Sequence, residues 1–216
     1  MHLEILTEDA SGAALIESLL PKLVGPNGAE HSWRLIPFRG IGHLPKNLGS
    51  APSPRSRAIL STLPAIMRAY GKMSAPDQRV MVVVDNDQKD CAAFKRELLA
   101  VLDACDPPPR ALFRIAVQEI EAWMLGDPAA ILAAYPKANE KRLAALQGDA
   151  IDGEWETLAE AIRPGDAKAL RSRGYPEIGI RKKEWAERIG PCIDPERNRS
   201  ESFKAFAQGV AKLITD

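Results

Sequence analysis

The stretch Val80-Met81-Val82-Val83-Val84 constrains this chain more than any other. Four valines around one methionine favour an extended backbone. A strand with no polar side must be covered on both faces, as in the interior of a parallel sheet. Residues 3–6, 33–38 and 112–117 also read as strands. Between them apolar residues recur at helical spacing, at Ala13, Leu15, Leu19 and Leu23, at Ile59, Leu63, Ile66 and Tyr70, and at Phe94, Leu98 and Leu102. Pro26-Asn27-Gly28 and Pro107-Pro108-Pro109 end two of these runs. The alternation predicts an α/β, Rossmann-like fold, a mainly parallel four-stranded sheet flanked by helices joined by right-handed crossovers. From Asp127 onward the pattern turns to short helices separated by Gly and Pro, over 128–135, 139–146, 155–162, 182–189 and 202–214. The expected organisation is an α/β domain over residues 1–127 and a helical appendage over 128–216 packed on it.

Charge narrows the function. Lys+Arg and Asp+Glu both number 29, so no global basic field exists to hold a polyanion, and any such surface is local. Cys91, Cys105 and Cys192 form no CxxC pair, which points to a reducing compartment and away from zinc. His2, His31 and His43 are scattered. Glu4 and Glu8 argue against a signal peptide, and no apolar run is long enough to cross a bilayer. The expectation is a cytoplasmic protein with no membrane contact.

In a parallel α/β sheet, ligands collect beyond the carboxyl ends of the strands. Glu8, Asp85, Asp87, Glu119 and Glu121 all fall at or just after a predicted strand end. Asp85-Asn86-Asp87 places two hard oxygen donors where the valine strand stops, a spacing that suits Mg²⁺. The plainer alternative is that Asp87 or Asp90 caps the helix that starts near Cys91. Carboxylates gathered at one edge repel and raise one another's pKa unless a cation neutralises them. Their convergence therefore favours a divalent ion over capping alone.

Ile5-Leu6-Thr7-Glu8-Asp9 resembles the strand-then-glutamate opening of the Toprim domain, and Val82-Val83-Val84-Asp85-Asn86-Asp87 resembles its Asp-x-Asp strand. Asp9 stands where that opening usually has glycine. The run from Arg114 to Asp127, with Glu121-Ala122-Trp123-Met124-Leu125, is similar to a signature of an uncharacterised Toprim-like family often encoded beside an ATPase. So are Lys182 ahead of Ala186 and Ile189, and the tail Asn198-Arg199-Ser200-Glu201-Ser202-Phe203. The family is related to the Toprim domains of overcoming-lysogenization-defect nucleases. The resemblance implies a Toprim-like version of the fold and a Mg²⁺ (or Mn²⁺)-dependent phosphodiesterase acting on DNA or RNA. It also implies an ATPase partner and a setting of phage defence. It makes Glu8 a general acid/base or metal ligand, Asp85 and Asp87 metal ligands, Glu121 a further ligand, and Glu119 a ligand or a neighbour of one.

Residues 32–76 hold Arg34, Arg39, Lys46, Arg55, Arg57, Arg68 and Lys72 without one acidic residue. Arg39, Lys46, Arg55 and Arg57 bracket the long loop after the second strand, on the carboxylate edge. They read as phosphate contacts or, equally, as a solvated face. Lys182 and Arg199 are the candidate nucleic-acid contacts beyond residue 127. In the tail, Ser200 is expected to cap the last helix while Arg199 reaches toward the acidic edge. A non-catalytic adaptor subunit with a structural cation, and a small-phosphate enzyme, remain alternatives. All four tryptophans read as packing residues.

Overall fold

The computed structural model describes residues 1–73, 75–86, 89–146, 149 and 153–215. Four parallel strands, β1 (His2–Thr7), β2 (Ser32–Pro37), β3 (Gln78–Asp85) and β4 (Ala111–Ala116), form one sheet in the order β2-β1-β3-β4. Helices α1 (Ala10–Val24), α2 (Ile59–Met73) and α3 (Cys91–Asp103) provide the crossovers. This is the Rossmann-like layout expected from the alternation of strand and helix. The order of connection reverses between β1 and β3, so the crevice at their carboxyl ends is the topological switch point.

β3 is covered on both faces, as its composition requires. Met81 and Val83 join one core with Leu3, Ile5 and α1; Val80, Val82 and Val84 join another with α2 and α3. The strand order also accounts for the helices beyond residue 127. A right-handed crossover from β1 to β2 puts α1 on one face, and those into β3 and β4 put α2 and α3 on the other. α1 alone cannot cover its face over β3 and β4. The later helices do so: α4 (Glu121–Leu125), α5 (Pro128–Ala134), α6 (Glu140–Ala144), α7 (Glu154–Ile162), α8 (Asp166–Arg173), α9 (Tyr175–Ile189) and α10 (Glu201–Thr215). α10 lies against β4 and α9 against α1. Residues on both sides of position 127 thus share one continuous core.

The segments that bear the most specific sequence patterns clasp each other. Trp123 is fully buried, its ring 5.8 Å from Phe203 and 4.8 Å from Phe206. Its indole N–H donates to Ser202 Oγ at 2.9 Å, and its carbonyl accepts from Asn198 Nδ2 at 2.8 Å. Ser200 Oγ accepts from the Phe203 amide at 3.1 Å, the expected cap of α10. Gly126 lies so close that a Cβ there would meet Asn198 Oδ1 at 2.2 Å. Asp127, fully buried, caps α5 through the Ala130 amide, accepts the Asp194 amide at 2.9 Å and takes Arg197 in a two-bond fork at 2.8 Å. Arg197 reaches back to Asp127, while the Arg199 side chain is exposed and its amide donates to the Gly126 carbonyl at 2.9 Å.

Asp127→Ala leaves the Asp194 amide without its acceptor, strips the side-chain cap from the Ala130 amide and removes the fork. It is expected to lower stability by about 3 kcal/mol, read from urea unfolding. A loss below about 1 kcal/mol would mean that the clasp does not hold the two segments together.

Candidate functional site at the carboxyl edge of the sheet

Each acidic residue arrives at this edge by a local cause. β1 ends at Thr7, and Glu8 comes next, half-buried. Asp9 caps α1, accepting from the Gly12 amide at 2.8 Å and the Ser11 hydroxyl at 2.8 Å. Asp85 closes β3 opposite Ala116 of β4. Asn86, almost fully buried, joins the two strand exits. Its amide donates to the Ala116 carbonyl, its Oδ1 accepts from the Gln118 amide, and its Nδ2 donates to the Lys89 carbonyl and Cys91 Sγ. Gln118 has φ 59°, the left-handed region that side chains other than glycine avoid. The bond from Asn86 holds it there, and the turn delivers Glu119 and then Glu121, the first residue of α4. Asp90 caps α3 through the Ala93 amide, as one alternative for this loop anticipated. Asp87 lies outside the described residues.

Lys182 of α9 enters the cluster. Its side chain is only 13% exposed, and Nζ lies 3.0 Å from Glu121 Oε2 and 3.4 Å from Glu119 Oε1. Burial alone would lower the lysine pKa; Glu121, Glu119 and Asp85 outweigh it and push it up, so the ammonium stays charged. Glu121 is completely buried, and its pKa is raised by that burial and by the Glu119 charge against the pull of Lys182. Asp85 is raised well above the usual carboxylate range by burial first, then by Glu8, with Lys182 opposing and Glu121 and Asp9 adding. Glu154, in the first turn of α7 and 1% exposed, faces the same group. Burial first, then Glu119 and Glu121, lift it to about 8 against its own amide and Lys182.

The edge thus divides into two parts. Glu119, Glu121 and Glu154 surround Lys182; Glu8, Asp9 and Asp85 converge at the switch point itself. Among the described residues no three His, Cys, Asp or Glu side chains are arranged to hold a metal ion. Lys182, read in the sequence as a nucleic-acid contact, is instead a buried counter-charge for carboxylates. The sequence patterns gave no sign of Glu154. Its nearest signal is Gly153-Glu154, a turn residue followed by an acid at a helix start, which ordinarily marks only a favourable charge near the helix dipole.

The basic residues of the long loop lie beside the switch point. The Phe38 amide donates to the Thr7 carbonyl, Gly40 donates to the Glu8 carbonyl, and Arg39 donates to the Arg57 carbonyl. Arg39 and Arg57 therefore stand next to the Glu8 turn with exposed side chains; Lys46 and Arg55 are exposed further along the loop. Lys46 lies with His43 and Lys89 along a cavity between this loop and α3. Cys91 is no activated thiol, since burial and Asp90 raise its pKa.

The family described as a domain of unknown function (DUF4276) matches residues 7–211. The chain belongs to this family. Comparison with curated proteins and with solved structures gives no match. The family match spans both the strand exits and the α4–α10 clasp, so Glu8, Asp85, Glu119, Glu121, Glu154 and Lys182 all fall within it.

Glu154 is protonated in the folded chain up to about pH 8, whereas the unfolded chain releases that proton near 4.5. The folded form binds more protons between those values, so this group's contribution to stability falls as pH rises through that window. Glu154→Gln needs no proton and is expected to flatten the decline. Denaturant midpoints at pH 5 and pH 8 measure it; an unchanged slope would place Glu154 outside the cluster.

Proposed function

We propose that this protein is a Mg²⁺-dependent, Toprim-like phosphodiesterase acting on nucleic acid. The observation that carries the reading is the meeting of Asp85 and Glu8 at the switch point, where burial and mutual repulsion hold Asp85 protonated beyond the usual range. A divalent cation relieves that repulsion. Mg²⁺ needs only one or two carboxylates, with water and substrate phosphate completing its shell, so Asp85 and Glu8 suit it; Glu121 and Glu119 already share the Lys182 ammonium. Bound there, the ion would supply Lewis acidity toward a phosphoryl oxygen and make its water more acidic. Arg39 and Arg57, beside the Glu8 turn, would hold the flanking phosphates without reading sequence. Glu8 would accept the proton released by the attacking water. Lys182 holds Glu121 and Glu119 in place, fixing the wall of the site.

A second reading, a non-catalytic subunit of an ATPase complex, draws on one observation. The Lys182 ammonium already occupies the position between Glu119 and Glu121 that a second cation would take. Both readings meet the same experiment. Purified protein is incubated with mixed single- and double-stranded DNA and RNA in Mg²⁺ or Mn²⁺, alongside Asp85→Asn and Glu8→Gln. Cleavage that needs the metal and falls at least about 100-fold in both variants is the expected outcome. Cleavage that persists in both overturns the assignment. No cleavage by any form, with or without a co-purifying ATPase, moves it to the second reading.

A further inference from the structure

A second candidate site lies on another side of α9. Arg181, Glu184, Trp185 and Arg188 share one face of this helix, at intervals of three and four residues. They line a cavity of about 450 Å³ closed by Tyr135 and Lys137 after α5 and by the segment from Ile162 to Asp166 between α7 and α8. That volume lies in the range of small-molecule sites. Four cations from three separate segments, Lys137, Arg163, Arg181 and Arg188, meet only two acids, Asp166 and Glu184. Glu184 is engaged with Arg181 at 2.8 Å. Lys137 and Arg163 are exposed at the rim with no acidic partner among the described residues. In a chain with equal numbers of acids and bases, this local excess is not a by-product of composition.

The walls are as particular as the charge. The Arg188 guanidinium lies over the Tyr135 ring, 4.2 Å from its centre, and donates to the Ala134 carbonyl at 3.0 Å. Trp185 forms a buried floor. A flat cation stacked on a flat ring offers a surface for a planar π-system, while the unpartnered rim cations offer charge to a phosphate. We propose that this cavity binds a nucleotide-sized phosphate ester, its planar base against the Tyr135–Arg188 wall and its phosphates on Lys137 and Arg163. The site is separate from the carboxyl edge and does not rest on the reading of that edge as a nuclease.

Calorimetric titration with ADP in EDTA tests this, because the chelator keeps divalent ions from the carboxyl edge. Wild type and Asp85→Asn are expected to bind ADP alike, and the exposed double variant Lys137→Ala/Arg163→Ala at least about 10-fold more weakly. Pyrophosphate, which has charge but no base, is expected to bind at least about 10-fold more weakly than ADP to the wild type. Thermal unfolding of the double variant without ligand checks that its fold is intact. Absence of ADP binding, equal binding by the double variant, or loss of binding in Asp85→Asn overturns the proposal. Equal affinity for pyrophosphate overturns the base contact.

Discussion

Everything at the carboxyl edge depends on the clasp between the turn after β4 and the segment before α10. Trp123 is wedged against Phe203 and Phe206 and hydrogen-bonded at both its indole and its carbonyl. The close approach at Gly126 and the buried Asp127–Arg197 fork lock the same junction. α4 spans little more than one turn, too short to hold its place by its own hydrogen bonds. It keeps Glu121 aimed inward because residues on both sides of Gly126 are tied to positions some seventy residues away. Arg114 adds a further tie from β4, donating to the Ala205 carbonyl of α10 at 2.7 Å.

The electrostatics of the edge arise from that rigidity. Carboxylates forced together without freedom to separate must take up protons or find a cation. Lys182 answers for Glu119 and Glu121 and opposes the shift of Asp85, and a proton answers for Glu154. Lys182 comes from a helix that is itself fixed far from the site. Lys22, near the end of α1, donates to the carbonyls of Gly190, Pro191 and Ile193 just past α9. Since Asp9 caps the opposite end of α1, one strut connects the switch point to the helix that carries its counter-charge.

β3 was legible because burial on both faces leaves an unbroken apolar run, the other strands because short apolar segments alternate with helical periods, and each observed strand lies within two residues of its expected bounds. The eighth helix was not. Asp166–Arg173 buries only Ala167 and Leu170, so its sequence carries almost no amphipathic period. Among the site residues, acids at strand ends could be placed by topology, but their partners could not. Asn86 reads as a spacer between two aspartates, yet it is the bolt between β3 and the turn after β4. Lys182 stands out in Arg181-Lys182-Lys183 through the family resemblance, but only the packing of α9 turns it from a phosphate contact into a buried counter-charge. The patterns around Trp123 and Asn198 were conspicuous, and the structure gives both a mutual mechanical task.

The placement of Lys182 has a consequence during synthesis. Domains begin to fold while the ribosome is still adding residues. Glu8, Asp85, Glu119, Glu121 and Glu154 all precede position 182 in the chain. A nascent sheet therefore exposes its acidic rim, and the bare apolar face over β3 and β4, until the last two long helices emerge.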